Sequence, residues 1–182
     1  NIARSMDKVE KTIAELKSDS GNELIDGFEM DLSSQRSIRN GSAQILKKYP
    51  KIDVLVNNAG TWYSKLSYTE DNIEMQFAVN HLAYFLLTHL MIPALYASDD
   101  PRIINVGSDS HFHGKMHFND INLIKKYHGL RAYAQSKLAN VLFTYEFERR
   151  KPNDKLSINC VQPGLVKTNI GMKHTISLHS LA

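Results

Sequence analysis

Two residues with reactive side chains, Tyr133 and Lys137, stand four positions apart in a segment whose apolar pattern predicts a helix. Side chains at this spacing leave the same face of a helix. A free tyrosine titrates near pH ~10, and a lysine ammonium a few ångströms away favours the phenolate. We therefore expect Lys137 to lower the pKa of Tyr133 and to make this phenol an acid or base at neutral pH.

The composition is that of one soluble globular domain covering residues 1–182, with 42% hydrophobic and 23% charged residues. The 22 basic and 19 acidic residues occur in mixed order and give a formal net charge of +3, which argues against a nucleic-acid partner. The apolar stretch from Leu82 to Ala97 falls short of the roughly 20 residues that a membrane span needs, so it predicts a buried helix and no transmembrane segment.

The single cysteine, Cys160, indicates a reducing compartment, and an intracellular, cytoplasmic location fits best. The N-terminus has no signal-peptide pattern, and the chain begins at Asn1 and not at a methionine. We expect these residues to be a piece of a longer chain, which could itself associate with a membrane.

Helices are predicted to alternate with short apolar strands along the whole chain. Four helices are predicted. The first follows Ser5, and the second includes Ile38 and ends near Tyr49. The third runs from Glu70 to about Ala97 and is capped by Thr69, and the fourth runs from about Arg131 to Arg150. The predicted strands lie within Leu24 to Met30, Ile52 to Val56, Arg102 to Val106, and Leu156 to Val161. The Ile52 to Val56 strand is expected to be buried on both faces. This alternation predicts an α/β fold with a doubly wound parallel sheet and helices on both of its faces.

Ligands of open α/β sheets bind beyond the carboxyl ends of the strands, so the residues that follow each strand are the candidates for a site. These are Asp31, Asn57-Asn58-Ala59-Gly60, Gly107-Ser108, and Pro163-Gly164. We expect them to converge on one crevice close to the helix of Tyr133 and Lys137.

These motifs, together with Asn80 and Thr168, occur in the order found in short-chain dehydrogenases/reductases, and the chain resembles that family from residue 1 to about residue 170. A lone Tyr-x-x-x-Lys would be weak evidence, but five ordered motifs at strand ends are a strong signal. Asn1-Ile2-Ala3-Arg4, Asn80-His81-Leu82 and the residues around Lys137 are most similar to retinol-dehydrogenase-type and WW-domain-oxidoreductase-type members. The resemblance implies a Rossmann-type, three-layer fold that is incomplete at both ends.

The resemblance also implies catalytic roles for Asn80, Ser108, Tyr133 and Lys137. Tyr133 would be the acid beside the developing alkoxide, and Ser108 would hydrogen-bond the substrate oxygen. Lys137 would lower the pKa of the phenol and bind the nicotinamide ribose. Asn80 would support a water that relays protons to the lysine.

The cofactor implied by the resemblance is NADP, with NAD less favoured, because Arg4 follows the second strand of the family and a guanidinium there suits a 2′-phosphate. Asp31 would accept a hydrogen bond from the adenine amino group, and the Asn58-Ala59-Gly60 turn would approach the adenosine. The complete set of expected cofactor contacts is Arg4, Asp31, Leu32, Asn58, Ala59, Gly60, Tyr133, Lys137, Pro163, Gly164, Val166 and Thr168.

The sequence departs from the family pattern at its start, because it has no strand followed by a Gly-rich turn to hold the cofactor pyrophosphate. Since that strand lies mid-sheet in this topology, we expect a central gap beside the family's second and fourth strands. The chain also stops soon after Thr168, before the helices that shape the substrate pocket. Gly107 stands where a second serine is common.

Simpler interpretations exist for several of these residues. Asp31 taken alone would be a helix N-cap, and Ser108 a turn residue. His111, His113 and His117 lack a recognised set of metal ligands and predict exposed loop histidines, so no metal site is expected. His81 and His89 predict packed or hydrogen-bonded side chains, and Cys160 predicts a small buried hydrophobe with no activated thiolate.

The sequence therefore favours an oxidoreductase that interconverts an alcohol and a ketone or aldehyde on a lipophilic substrate such as a retinoid, steroid or lipid carbonyl. The alternative is a catalytically inactive or truncated family member that acts as a structural or interaction module. A third interpretation, the sugar-nucleotide epimerase branch, is disfavoured by Asn57-Asn58-Ala59-Gly60. A homo-oligomer and a longer parent chain both stay open.

Overall fold

Five strands and five α-helices form the part of the chain that the computed structural model describes, residues 1–152 and 154–164. The strands are β1 (Ile2–Ala3), β2 (Phe28–Glu29), β3 (Val54–Asn57), β4 (Arg102–Val106) and β5 (Ser157–Val161). The helices are α1 (Met6–Ser20), α2 (Gln35–Lys48), α3 (Met75–Phe77), α4 (Ala83–Tyr96) and α5 (Gly129–Arg150). A π-helical turn, Ala78–Leu82, joins α3 to α4, and a 3₁₀ turn, Asp109–His113, follows β4.

The first helix begins, and the second helix ends, where the sequence predicts. Helix α1 follows Ser5 and ends at Gly21, whose φ of 67° is the left-handed conformation that glycine adopts without a steric penalty. Helix α2 is capped by Ser34, whose hydroxyl accepts a hydrogen bond from Ser37 N. Asp31 is therefore not the N-cap of this helix, which removes the simpler interpretation of that residue.

The long apolar helix starts later than the sequence predicts. Its cap is Glu74, whose carboxylate accepts hydrogen bonds from Gln76 N and Phe77 N, and Thr69 instead lies in the preceding turn. The whole helical stretch Met75–Tyr96 has 22 residues, and by length and composition alone it could cross a membrane. Half of its apolar window is nevertheless packed inside the protein, as in the core helix of a globular domain.

All strand pairs are parallel, but the sheet is in two parts. Strand β1 pairs with β2, and β3, β4 and β5 pair in that order. No strand pairing joins the two sheets within the described residues, so the central gap predicted from the sequence is confirmed. The residues after β1 and β2 thus belong to one sheet, and those after β3, β4 and β5 to the other.

The two faces of β3 differ, which corrects the prediction that this strand is buried on both sides. Asn57 is 3% exposed and faces α4, whereas Val54 and Val56 on the opposite face are 48% and 54% exposed. Among the described helices, α4 is the one that packs closely against β3. The hydrophobic core lies on this covered side, where it includes Met30, Ile38, Ala83, Leu87, Met91, Leu95, Ile103, Phe143, Leu156 and Ile158.

Candidate functional site

The Asn57-Asn58-Ala59-Gly60 segment turns at the carboxyl end of β3 and divides its side chains between core and surface. Asn57 is buried, and its amide donates to Thr88 Oγ1 at 3.0 Å and to Asn105 Oδ1 at 2.8 Å. Asn58 and Ala59 are exposed, as the predicted role beside a cofactor requires. The first asparagine of the motif therefore anchors the turn, and the following residues are accessible.

Three polar side chains along one helical face hold this turn. Asn80 Oδ1 accepts from Thr61 N at 2.7 Å, Tyr84 Oη donates to Ala59 O at 2.8 Å, and Thr88 Oγ1 accepts from the Asn57 amide. The three helical residues are four positions apart, a rise of about 6 Å, and their partners are two positions apart, about 6.6 Å in extended chain. The two spacings match, so each helical side chain reaches its own partner. We call these three contacts the helix–turn ladder.

Asn80 is fully buried in the π-helical turn, and its side-chain amide is fully used. Besides its bond with Thr61 N, it donates to Thr61 O at 3.0 Å and to Ser136 Oγ at 3.1 Å. The Asn80 carbonyl accepts from Asn140 Nδ2 at 2.8 Å. Asn80 thus ties the residues after β3 to α5, and its support of a relay water stays a prediction.

Ser108 follows β4 directly and is a turn residue, as the simpler interpretation of the sequence expects. Its hydroxyl caps the 3₁₀ turn by accepting from Ser110 N, and it also hydrogen-bonds the side chain of Tyr133. The turn and the site are therefore built on the same side chain.

Lys137 reaches back from α5 to the end of β4 and is 2% exposed. Its ammonium donates to Val106 O at 2.9 Å and lies 5.7 Å from the ring centre of Tyr133 and 6.0 Å from that of Tyr84. Burial lowers the pKa of Lys137 to about 8, while the nearby Cys160 acts weakly in the opposite direction. The predicted shared face of Tyr133 and Lys137 is confirmed.

The predicted direction of the Tyr133 pKa is wrong. Burial of the phenol raises its pKa, and the hydrogen bond with Ser108 lowers it by less. The Lys137 ammonium is bonded to Val106 O and lies over the ring, so the lysine contributes no resolved stabilisation of the phenolate. Desolvation disfavours any charged form, and here it outweighs the neighbours.

Gly107 packs closely against the side chain of Cys160. A Cβ at Gly107 would lie 2.9 Å from Cys160 Sγ, closer than carbon and sulfur pack, so glycine is needed where β4 meets β5. The Cys160 thiol is half-buried, and burial raises its pKa although Lys137 lies close enough to lower it. This agrees with the predicted unactivated thiol.

The remaining predicted cofactor residues divide between the two sheets. Arg4 is exposed after β1, and Asp31 Oδ1 accepts from Ser33 N and Ser33 Oγ after β2. Leu32 packs against the core, beside a cavity of about 260 Å³ between α2 and α4.

Pro163 and Gly164 are exposed after β5, and Gly164 has a φ of 72°, which accounts for its glycine. Val166 and Thr168 lie outside the described residues. The structure thus brings Asn58, Ala59, Gly60, Asn80, Ser108, Tyr133 and Lys137 together, and Arg4, Asp31 and Leu32 lie on the other sheet.

The histidines are involved in local hydrogen bonds. His81 Nδ1 lies 3.1 Å from Asn140 Oδ1, and burial lowers the pKa of His81; His89 Nδ1 donates to Phe85 O at 2.7 Å. These two agree with the predicted packed or hydrogen-bonded side chains. Among residues 1–152 and 154–164, no three His, Cys, Asp or Glu side chains lie close enough together to hold a metal ion.

Two residues of the site were not identified from the sequence, Tyr84 and Asn140. Tyr84 is 2% exposed and stands four residues after Asn80, and Asn140 stands three residues after Lys137. The signal available was polarity at helical spacing, because Asn80, Tyr84 and Thr88 stand four residues apart within a largely apolar helix.

The comparisons with known proteins identify the family. The short chain dehydrogenase family matches residues 1–177. Human retinol dehydrogenase 13 is 41% identical over 173 residues, which cover 94% of this chain and 52% of that protein. Mouse retinol dehydrogenase 14 is 43% identical over 143 residues, covering 79% of this chain and 43% of that protein. The chain therefore spans about half the length of the curated relatives it matches.

The solved structure of a short-chain dehydrogenase from Sphingobium yanoikuyae in complex with NADPH superposes with a TM-score of 0.75. The two sequences are 20% identical, and the match covers 98% of this chain and 65% of that one. The likeness shows the doubly wound α/β fold. On the family match and the identity to the retinol dehydrogenases, the chain belongs to the short-chain dehydrogenase family.

Proposed function

We propose that this chain carries the acid/base centre of an NAD(P)-dependent oxidoreductase that interconverts an alcohol and a ketone or aldehyde. The observation that carries the proposal is the meeting of Ser108, Tyr133 and Lys137 at the carboxyl end of β4. A hydroxyl donor, a proton donor and a buried cation in one place are what the reduction of a carbonyl requires.

The chain's own residues fit the reductive direction. A bound nicotinamide would supply the hydride to the carbonyl carbon. Ser108 would orient the carbonyl oxygen, and Tyr133 would give it a proton. Because burial raises the pKa of Tyr133, the phenol keeps its proton at neutral pH and is ready to act as an acid. Lys137, with a pKa of about 8, is mostly cationic there and would bind the nicotinamide ribose.

The residues that follow β1, β2 and β3 have the chemistry that a dinucleotide needs. Arg4 lies at the start of α1 and has no ion pair among the described residues, and the side chain of Ser5 makes no capping bond. A guanidinium beside a helix N-terminus suits a 2′-phosphate, so NADP is favoured over NAD. Asp31 would contact the adenine, and Asn58 and Ala59 would contact the adenosine.

Arg4→Ala should reduce the ratio of NADPH to NADH affinity without weakening NADH binding.

A lipophilic substrate is favoured by exposed aromatic side chains in the segment that follows Ser108. Phe112 and Phe118 are 73% and 80% exposed in the segment between β4 and α5. Aromatic side chains at the edge of a site suit an apolar ligand. The relatives named retinol dehydrogenases favour a retinoid, with a steroid or lipid carbonyl as the wider class.

The test replaces Tyr133 by phenylalanine and follows NADPH oxidation with retinal as substrate. We expect turnover to fall at least ~10²-fold, as for the loss of a general acid, while NADPH binding measured by nicotinamide fluorescence stays unchanged. Tyr145→Phe is the matched control, because Tyr145 lies on the same helix and is 73% exposed. Equal turnover in the Tyr133 and Tyr145 variants would remove Tyr133 from the mechanism.

The divided sheet favours a second candidate, a non-catalytic module. The exposed Val54 and Val56 and the separate β1–β2 sheet would then serve assembly and not catalysis. NADPH titration discriminates between the two, because a structural module would show no saturable binding.

A further inference from the structure

We propose that Tyr84 is a positioning residue with two separable functions: its hydroxyl holds the Asn58–Gly60 turn in place for the cofactor, and its ring keeps water away from Lys137. The proposal rests on the proposed function for its first half. The second half concerns the lysine alone and needs no cofactor.

The hydroxyl of Tyr84 is the middle contact of the helix–turn ladder. It donates to Ala59 O at 2.8 Å, between the contacts of Asn80 and Thr88. The other two contacts hold Thr61 and Asn57, which flank the exposed turn, whereas Tyr84 acts on the turn itself. Because Asn58 and Ala59 are exposed, tertiary packing alone does little to fix the path of their backbone. Loss of this one bond should therefore loosen the turn.

The ring of Tyr84 forms part of the enclosure around the Lys137 ammonium. Tyr84 is 2% exposed and the centre of its ring lies 6.0 Å from Lys137 Nζ, while the centre of the Tyr133 ring lies 5.7 Å from the same atom. The titratable groups that interact with this site are Tyr84 on α4, Tyr133 on α5 and the Cys160 thiol on β5. Among the described residues, no carboxylate contributes to the lowered pKa of Lys137, so none of them gives the ammonium a full counter-charge.

An aromatic ring has two opposing effects on a neighbouring cation. Attraction to the ring favours the ammonium, whereas exclusion of water disfavours it. At Lys137 burial is the largest influence on the pKa and lowers it to about 8, and the Tyr84 ring is part of what buries the ammonium. Replacing the ring by a smaller aliphatic side chain should admit water and raise the pKa.

The experiment compares Tyr84→Phe, which removes the hydroxyl, with Tyr84→Leu and Tyr84→Met, which also remove the ring. NADPH affinity is measured by fluorescence, and the ionisation of Lys137 in the cofactor-free chain by NMR of its ε-carbon and nitrogen. Tyr96→Phe is the control, because Tyr96 ends the same helix and its buried hydroxyl has no hydrogen-bond partner among the described residues.

We expect Tyr84→Phe to weaken NADPH binding about 5-fold, the ratio that corresponds to one ordinary hydrogen bond, with the Lys137 midpoint unchanged. The two aliphatic variants should raise that midpoint by at least about one unit toward the ordinary value. Whichever aliphatic variant folds better serves for this comparison, and Tyr96→Phe should change neither quantity.

Equal NADPH affinity in Tyr84→Phe and Tyr96→Phe, with saturable binding by the wild type, would overturn the role of the hydroxyl and leave the proposed function intact. Absence of binding by the wild type would overturn both the proposed function and the hydroxyl's role. An unchanged Lys137 midpoint in the aliphatic variants would overturn the role of the ring.

Discussion

The two faces of the β3–β4–β5 sheet are built on different principles. On the α4 side the buried polar groups are hydrogen-bonded to each other: Asn57 to Thr88 and Asn105, and Asn105 Nδ2 to Thr144 Oγ1 at 2.9 Å. On the opposite side, Val54 and Val56 of β3 are half exposed. The covered face is therefore fixed by directional bonds, whereas the open face is fixed by little more than the strand pairing.

The proposed chemistry and the proposed cofactor binding therefore obtain their precision from different parts of the molecule. Ser108, Tyr133 and Lys137 are held by elements on the covered side, so the acid/base centre can keep its geometry without any contribution from the open side. Arg4 and Asp31 are attached to the separate two-stranded sheet, and their position relative to that centre depends on what joins the two sheets. Substitutions on the covered side should therefore have larger effects than substitutions on the open side.

The largest effect is expected from Lys137→Met, because it removes the cation from the covered side. Activity should fall about 10³-fold, in the range found when one preorganised electrostatic contact is lost. Stability at pH 7 should not fall, since an apolar side chain of similar length avoids the cost of burying an ammonium. NADPH turnover and urea denaturation measure the two, with the exposed Lys47→Met as control. A destabilised variant would show that the Lys137 bond to Val106 O outweighs the cost of burial.

The difference in unfolding free energy between the wild type and Lys137→Met should depend on pH. Lys137 has a pKa of about 8 in the folded chain and an ordinary value of 10.5 when unfolded. Between these values the unfolded state binds a proton that the folded state has lost, so wild-type stability rises with pH relative to Lys137→Met. Below pH 8 both states are protonated and the cost of burial is fully present. Unfolding free energies at pH 7 to 10 that run parallel for the two proteins would contradict this.

Ser108→Ala should cost about 10²-fold in kcat/KM, because one donor to the substrate oxygen is lost. The loss of its hydrogen bond should also move the pKa of Tyr133 further up. The limb of the pH–rate profile that reports the phenol would shift to higher pH. Ser110→Ala is the control, since its hydroxyl bonds only the Ser108 side chain and not Tyr133 among the described contacts. A profile that keeps its midpoint would separate Ser108 from the ionisation of Tyr133.

Much of the covered side could be predicted from the sequence because its signals are periodic and local. Short apolar strands that end in polar turns predicted the positions of Asn58, Ser108 and Pro163, and four-residue spacing put Tyr133 and Lys137 on one face. The pKa of Tyr133 could not be predicted, since its sign depends on how much water the fold removes. Spacing describes which groups meet, but not how deeply they are buried.

The open side was predicted less well for a different reason. The run Ile52 to Val56 is apolar enough for a strand covered twice, and nothing local indicates which face lacks a helix. The central gap could be predicted only because a family pattern showed which strand was missing. The contact of Tyr84 with the turn could not be predicted, because tyrosine in an apolar helix is commonly a core residue and its bond to Ala59 depends on tertiary geometry.

Thr88→Val tests the bonds of the covered side. The substitution keeps the shape of the side chain but leaves one hydrogen of the Asn57 amide without its acceptor, which should cost about 2 kcal/mol of unfolding free energy. Urea denaturation measures this cost. A loss below about 0.5 kcal/mol would mean that Asn57 finds another acceptor, and that the ladder contributes less rigidity than its geometry indicates.

The smallest effect is expected from Val56→Thr, which makes the reverse substitution on the open face. Val56 is 54% exposed, so its added hydroxyl can be solvated, and both side chains are β-branched and suit a strand. The unfolding free energy should change by less than about 0.5 kcal/mol, as for an ordinary surface position. A cost equal to that of Thr88→Val would show that this face is covered in solution. The contrast between the two faces would then belong to the isolated chain alone, and the surface around Val54 and Val56 would be an interface.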